Sequence, residues 1–212
     1  MTGVEVFVIL CPQPGQSGLR SLTKHLARFI LKKGRAESLK LLAARKVVLC
    51  RRPLDDAETL ARLSKLRLDV GLHKTGIIYR DATLRAFRLG ILNAHIGLLP
   101  EYRGRNVMEW ALLEGKTVGV TVFFVDTGID TGARVILREA VDISHCKSIE
   151  EAKQYLFNLD ATLFRRALQL LGSKDFQFET NDGSGRRYYV MSKLFLGVVE
   201  KQCRMQSAEV MN

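Results

Sequence analysis

Polar side chains that can take part in chemistry gather where two apolar segments end. Asn93 and His95 close an apolar run that begins at Gly90. Residues two apart on a strand point to the same side, so this amide and this imidazole can face one pocket. A second apolar segment ends in a glycine-bearing loop that holds two carboxylates, Asp126 and Asp130. Together these groups offer hydrogen-bond donors, an acid–base group and carboxylates.

Each of these pieces, taken alone, also has a structural explanation. A single histidine at a strand end is commonly structural. Loops of the form Asp-x-Gly-x-Asp also occur in calcium sites, although an EF-hand needs far more oxygen ligands. Nucleotide-binding motifs are missing: Gly115-Lys116-Thr117 matches the end of a Walker A loop, but Trp110 stands where its first glycine belongs. Neither G-x-S-x-G nor G-x-G-x-x-G is found.

The elements that must position these side chains alternate between strands and helices. Apolar runs predict strands over Val4–Leu10, Lys46–Cys50, Leu68–Leu72, Gly90–Ala94, Gly119–Val125 and Arg134–Val141. Periodicity and capping residues predict helices over Asp55–Leu66, Asp81–Phe87, Arg105–Glu114 and Ser148–Leu171. This alternation predicts an α/β, Rossmann-like, mostly parallel sheet with helices on both faces.

The C-terminal region is predicted to be a small appendage. Two short runs, Asp175–Glu179 and Arg187–Val190, flank an Asn-Asp-Gly turn at residues 181–183, which predicts an antiparallel hairpin. We therefore expect a main domain over residues 1–174, followed by a hairpin and tail over residues 175–212.

The net charge of +11 is concentrated in one segment. Between Leu19 and Arg52 there are eleven Lys or Arg and one acid, Glu37, so the rest of the chain is close to neutral. Leucine spacing in residues 19–45 predicts two basic amphipathic helices that meet near Gly34. Three functions stay open for them: binding nucleic acid, contacting an anionic membrane surface, or attracting a phosphorylated substrate. The alternative is a solvated face on two helices packed by their leucines.

The composition excludes several classes of protein. A chain of 212 residues with 47% hydrophobic residues and four prolines is too apolar for a disordered protein. No stretch approaches the ~20 apolar residues of a membrane span, and the first residues lack the features of a signal peptide, so we expect a cytoplasmic protein. The cysteines lie far apart, so we expect reduced, partly buried thiols and no metal site. They are Cys11, Cys50, Cys146 and Cys203.

One series of motifs resembles the formyltransferase family. It reads Asn-x-His-x-x-Leu-Leu-Pro-x-Tyr-Arg-Gly from Asn93, then Trp-Ala-Leu-Leu-x-Gly from Trp110, then Gly-Val-Thr-Val-x-x-Val-Asp-x-Gly-Ile-Asp-Thr-Gly over residues 119–132. The resemblance extends from about Leu68 to Ile143. The family includes glycinamide ribonucleotide formyltransferase, methionyl-tRNA formyltransferase and the sugar N-formyltransferases, and residues 102–110 are more similar to the last two.

The resemblance implies a formyl donor, 10-formyltetrahydrofolate, and three catalytic residues. Matched position by position, the catalytic residues are Asn93, His95 and Asp130. The resemblance also implies that the pterin of the donor binds, largely through backbone groups, to residues 75–79 and 126–129. The donor-binding positions are Thr75, Ile77, Tyr79, Asp126, Thr127 and Gly128.

These residue types suit the transfer of a formyl group to an amine. Attack by the amine gives a tetrahedral adduct whose former carbonyl oxygen is negative, and N–H groups aimed at that oxygen stabilise it. Asn93 offers an uncharged amide N–H, and a protonated His95 offers a charged one. Asp130 beside His95 favours the imidazolium and can take the proton of the attacking nitrogen. No covalent enzyme intermediate is needed.

The sequence departs from the family pattern in the wall expected to bind the pterin. Residues 73–79 differ from the usual Ala-Gly-Phe-x-Arg-Ile-Leu, and His73 is either a polar substitute in the pocket or a surface residue at a strand end. Gly97 stands where relatives usually carry serine, and Phe123 and Phe124 occupy a strand that often holds a histidine.

The expected acceptor is a small primary amine, such as an amino sugar carried on a nucleotide. A tRNA acceptor stays open, although tRNA formyltransferases carry a basic C-terminal domain for which a chain ending at Asn212 leaves no room. The alternatives are a formyltetrahydrofolate hydrolase, a tRNA-directed formyltransferase without that domain, and a catalytically silent folate-binding relative. The oligomeric state stays open.

Overall fold

The structure of the protein is a computed structural model. It describes residues 5–12, 27, 31, 35–44, 46–73 and 77–210. The chain divides into two compact units, residues 1–68 with 85–88 and residues 69–84 with 89–212. Across the described ranges, no helix is both long and apolar enough to cross a membrane. The predicted division at residue 174 stays a prediction.

The described part of the first unit contains two parallel strands and two helices. Strands β1 (Val8–Leu10) and β2 (Val47–Leu49) pair in register, with Val8 opposite Val47. The helices are α1 (Arg35–Ala43) and α2 (Ala57–Lys65). α2 begins after Asp56, whose carboxylate accepts a hydrogen bond from the Glu58 N–H and so satisfies one of the free donors of the first turn.

The predicted basic helices fall partly outside the described residues. α1 corresponds to the second of them. Of the first, only Ala27 and Leu31 are described, and both are helical. The functions considered for the basic segment therefore stay predictions.

The second unit is built on a five-stranded sheet. In spatial order its strands are β3 (Val70–His73), β4 (Gly90–His95), β6 (Gly119–Phe124), β7 (Arg134–Ala140) and β8 (Glu179–Thr180). Two further strands, β5 (Arg103–Gly104) and β9 (Arg187–Tyr188), form a separate pair. β3 and β4 are parallel, whereas β4–β6, β6–β7 and β7–β8 are antiparallel. The predicted α/β class is confirmed, but the prediction of a mostly parallel sheet is wrong for this sheet, which is mixed, with one parallel and three antiparallel strand pairs. The loop at residues 125–133 is too short for the crossover that a parallel β6–β7 pair would need.

The predicted C-terminal hairpin does not form. β8 pairs with β7, and β9 pairs in parallel with β5, so the two segments are not partners of each other. The cause lies at Asn181, whose backbone N–H donates to the carbonyl of Ala133 and whose side chain bonds to the loop before β7. These bonds hold the segment against the sheet edge.

Four helices complete the second unit: α3 (Asp81–Leu84), α4 (Val107–Leu113), α5 (Ile149–Leu171) and α6 (Lys193–Val210). α5 begins where predicted, because the Ser148 hydroxyl accepts from the Glu151 N–H at 3.1 Å. The sequence interpretation did not predict α6. Apolar residues occur on more than one of its faces, with Val199 buried but Leu194 exposed, so its periodicity gives a weak signal.

The core of the second unit joins the central strands to one face of α5. All six positions of β6 are buried. The buried positions of α5 recur at helical spacing and include Ala152, Leu156, Leu163 and Ala167. β4 therefore lies beside a fully buried neighbour, and the polar residues at its carboxyl end are held by a rigid support.

The four cysteines are free thiols, as predicted. Cys50, Cys146 and Cys203 are buried and Cys11 is half-buried. Burial raises the pKa of Cys11 to about 11 and also raises the pKa values of the other three thiols. Since the thiolate is the nucleophilic form, none of these cysteines is suited to nucleophilic catalysis at neutral pH.

A buried hydroxyl fixes the turn that follows β4. Thr121 on β6 lies opposite His95 and is fully buried. Its hydroxyl donates to the Gly97 carbonyl at 2.7 Å and accepts from the Leu99 N–H at 3.1 Å. Two backbone groups of the turn thus depend on one side chain.

Replacing this hydroxyl is expected to destabilise the protein. Thr121→Val keeps the volume of the side chain but leaves two buried backbone groups unsatisfied, which should lower the free energy of unfolding by about 2 kcal/mol or more in urea titrations. Thr117→Val, at an exposed position, is the matched control and should stay within about 0.5 kcal/mol of wild type. Equal stability of the two variants would contradict this account of the turn.

Candidate active site

Strand β4 presents Asn93 and His95 on one face of the sheet. His95 is 8% exposed, and Asn93 is half-buried. In register, Asn93 stands between His73 on β3 and Phe123 on β6, so the side chains of these three residues form a row across the sheet. None of the described residues hydrogen bonds to the Asn93 side chain. Its amide therefore remains available to a ligand.

The imidazole of His95 is held from both sides. Its Nε2 lies 2.8 Å from the carbonyl oxygen of Tyr102, and because a carbonyl can only accept, Nε2 carries a hydrogen. Nδ1 lies 3.5 Å from Oδ1 of Asp130. This distance exceeds that of a normal hydrogen bond, so Nδ1 is oriented by the carboxylate without being fully engaged by it.

Gly97 leaves room for this arrangement. A Cβ atom at position 97 would lie 2.7 Å from the Tyr102 carbonyl oxygen and 2.8 Å from Nε2 of His95. A residue with a side chain would therefore press on the hydrogen bond between them.

Asp130 is aimed by the loop between β6 and β7. Its φ of +53° lies in the left-handed region, and its Oδ2 accepts from the Gly104 N–H at 3.0 Å. The loop is closed by Asp126, whose Oδ1 accepts from the Gly128 N–H at 2.9 Å and from the Thr131 hydroxyl at 2.8 Å. These bonds fix a carboxylate that is only 14% exposed beside His95.

Asn181 also holds this loop, and sequence reasoning missed that role. Its side chain is buried, and Nδ2 donates to the carbonyls of Asp130 and Gly132 at 3.3 and 3.2 Å. Its Oδ1 accepts from the Gly183 N–H at 3.1 Å. The Asn-Asp-Gly triplet in the sequence indicates a turn, but it carries no information about partners 51 positions away.

The predicted donor-binding residues lie in two places. Thr75 is outside the described residues, Ile77 is half-buried, and Tyr79 is buried with its hydroxyl oxygen 2.6 Å from Nδ1 of His73. Asp126, Thr127 and Gly128 lie in the loop that carries Asp130. Among the described residues, no group of three His, Cys, Asp or Glu side chains is placed to hold a metal ion.

The Asp130 carboxylate acts on two imidazoles. It faces His95 directly, and it also raises the pKa of His73, which burial lowers by more. The net pKa of His73 is below its usual value, so this imidazole is neutral at neutral pH.

Arginines border the same region on the β5–β9 pair. Arg103 and Arg187 face each other in register, and Arg105 and Arg186 are exposed neighbours. Nε of Arg103 is buried and has no hydrogen-bond partner among the described residues. Gly104, which follows Arg103, donates to Asp130, so the backbone of β5 is bonded to the candidate site.

The arrangement offers amide and imidazole N–H groups and a fixed carboxylate. These groups can stabilise negative charge on an oxygen and accept a proton from an attacking group.

Solved structures with a similar fold are formyltransferases. The formyltransferase PseJ from Anoxybacillus kamchatkensis, in complex with UDP-4,6-dideoxy-4-formamido-L-AltNAc and tetrahydrofolate, is 19% identical, with a TM-score of 0.57 over 95% of this chain and 98% of that one. Phosphoribosylglycinamide formyltransferase from Bacillus halodurans is 20% identical, with a TM-score of 0.53 over 80% of this chain and 95% of that one. At these identities the likeness concerns the fold.

Curated relatives share more sequence over a shorter region. Methionyl-tRNA formyltransferase from Cyanothece sp. is 34% identical over 148 residues, which cover 65% of this chain and 44% of that protein. The chain spans less than half the length of the curated relatives it matches. The sequence profile of the formyl transferase family matches residues 6–168, which confirms the resemblance carried by the motifs. The chain belongs to the formyl transferase family.

Proposed function

We propose that the protein transfers a formyl group from 10-formyltetrahydrofolate to a primary amine. The observation that carries the proposal is that Nδ1 of His95 lies 3.5 Å from Oδ1 of Asp130, with the half-buried amide of Asn93 two residues before His95 on β4. The family to which the chain belongs uses 10-formyltetrahydrofolate as its formyl donor. A half-buried amide, an imidazole and a carboxylate are the groups that this transfer requires.

Each residue has a distinct part in the proposed reaction. When bound, the donor supplies a formyl carbon that the amine of the acceptor attacks. The Nε2–H of His95 is bonded to the Tyr102 carbonyl, so only the imidazolium form can donate from Nδ1. Asn93, through its amide N–H, and this form of His95, through Nδ1–H, stabilise the negative charge that develops on the formyl oxygen. Asp130 lies beside Nδ1 and takes the proton of the attacking nitrogen, directly or through one water. That proton is returned to the leaving nitrogen when the bond between carbon and that nitrogen breaks.

The proposed acceptor is a small amine that carries phosphate, such as a nucleotide-linked amino sugar. The arginines on β5 and β9 support it, because guanidinium groups bind phosphate through paired hydrogen bonds. The PseJ structure, which holds a UDP-linked formamido sugar, supports the same class. A tRNA acceptor is the second candidate, favoured by the names of the curated relatives.

We expect each of the three proposed catalytic residues to be required for turnover. Asn93→Ala, His95→Ala and Asp130→Ala should each lower turnover by ~100-fold or more, because each removes a group that acts in the transition state. Matched controls are Asn158→Ala, His145→Ala and Asp142→Ala, all at exposed positions, which should stay within about twofold. The measurement is the rate of donor consumption with a saturating amine. A His95→Ala enzyme within tenfold of wild type would refute the role given to His95.

We expect the arginines to contribute to binding of the acceptor and not to binding of the donor. Arg105→Ala and Arg187→Ala should each raise KM for a nucleotide-linked amine by ~10-fold, and salt should weaken the effect. KM for the donor should not change. Arg165→Ala, an exposed arginine on α5, is the control. If KM for the acceptor is unchanged in both variants, the phosphate group binds elsewhere.

A further inference from the structure

His73 occupies a place that brings it into the candidate site. It is the last residue of β3 and stands in register with Asn93 on the parallel strand β4. Residues in register on neighbouring strands have side chains on the same face of a sheet. The imidazole of His73 is therefore on the face that carries Asn93 and His95, and it is half-buried there. His73 is therefore not a solvated residue on the surface of the protein.

Tyr79 holds the imidazole of His73 in one orientation. The hydroxyl oxygen of Tyr79 lies 2.6 Å from Nδ1, and the two rings meet edge to face with centroids 5.2 Å apart. Tyr79 is itself buried, so its ring is a fixed support. The bond links the end of β3 to the segment proposed to bind the pterin.

The same bond directs Nδ1 of His73 to Tyr79 and leaves Nε2 as the nitrogen that can meet a ligand. Because burial keeps this imidazole neutral at neutral pH, only one of its nitrogens carries hydrogen. We take the Tyr79 hydroxyl as the donor to Nδ1, which places the hydrogen on Nε2. His73 then offers a neutral N–H group, a donor that the alanine at this position of the usual family segment does not supply.

We propose that His73, oriented by Tyr79, binds the formyl donor through its Nε2–H and sets the affinity for that donor. The proposal rests on the proposed function. The ligand chemistry it implies is a hydrogen-bond acceptor, such as a carbonyl oxygen, on the pterin side of the donor. His73 acts in binding the donor, and Tyr79 acts through His73 as a positioning residue.

The test measures binding of 5-formyltetrahydrofolate, a stable analogue of the donor, by calorimetry. His73→Phe removes both nitrogens and should weaken binding by ~10-fold, the usual cost of losing one hydrogen bond. Tyr79→Phe removes only the hydroxyl and should weaken binding by ~3-fold to 10-fold. His73→Gln places an N–H near the position of Nε2 and should remain within ~3-fold of wild type. Thermal unfolding of each variant checks that the fold is intact.

Kinetics separate a binding role from a merely structural one. In His73→Phe and Tyr79→Phe, KM for 10-formyltetrahydrofolate should rise by the same factors, while KM for the acceptor and kcat stay within about twofold. Since Tyr79 acts only through His73, the double variant should bind no more weakly than His73→Phe alone. Equal increases in both KM values would mean that the variants disturb the site generally, and would overturn the proposal.

Acidification gives an independent readout. A ligand that removes water from around His73 lowers its pKa further, so binding should weaken as pH falls and His73 becomes protonated. The groups that act on His73 are Tyr79 and Asp130, and Asp130 also pairs with His95. His73→Gln keeps all three, so any pH dependence that remains in this variant belongs to them.

The outcomes distinguish this proposal from the proposed function. If wild type binds the analogue and His73→Phe binds it equally well, the role of His73 is wrong and the proposed function stands. If wild type shows no binding at millimolar ligand, the proposed function fails and the inference fails with it. Weaker binding by His73→Phe, recovery in His73→Gln and a pH dependence lost in His73→Gln support the proposal.

Discussion

The hydrogen bond from Nε2 of His95 to the Tyr102 carbonyl is the contact on which the site depends. It sets the tautomer and the direction of the imidazole, and so directs Nδ1 to the side where Asp130 lies. A buried imidazole with an unsatisfied nitrogen would be costly, so the turn after β4 must bring the Tyr102 carbonyl back to the strand end. The hydroxyl of Thr121 and the absence of a side chain at Gly97 make that return possible.

The Asp130 carboxylate, like the His95 imidazole, is held by hydrogen bonds to the backbone. Removing a carboxylate from water is unfavourable unless hydrogen bonds replace the lost solvation, and Asp130 receives one from the Gly104 N–H. Two side chains hold the loop around Asp130. Asp126 lies within the loop and accepts a hydrogen bond from the Thr131 hydroxyl, and Asn181 lies outside the loop and donates to the Asp130 carbonyl. The positions of His95 and Asp130 are thus set by hydrogen bonds to three separate parts of the chain. They do not depend on the attraction between the imidazole and the carboxylate. Preorganised groups of this kind need no rearrangement when charge develops on a substrate.

The sequence predicted those features that depend on neighbouring residues. Six strands and four helices follow from local periodicity and capping, and the described structure agrees with them to within a few residues, apart from the N-terminal part of the first strand. The proximity of His95 and Asp130 was reached through the motifs and the family resemblance. By contrast, the pairing of β8 with β7 and of β9 with β5 was not predicted, because strands of two residues have no periodicity. Asn181 was missed for a related reason: a turn motif reveals its own backbone and gives no sign of the distant carbonyls to which it donates.

The fate of the formyl group tests the central claim most directly. The wild-type protein is incubated with 10-formyltetrahydrofolate and a nucleotide-linked amino sugar, and mass spectrometry and a formate assay divide the lost formyl group between amide and free formate. Direct attack by an amine at a site made by Asn93, His95 and Asp130 predicts formamide product in amounts that match the donor consumed, with little formate. Consumption that yields formate alone, at the same rate with and without amine, would contradict the account and indicate a hydrolase.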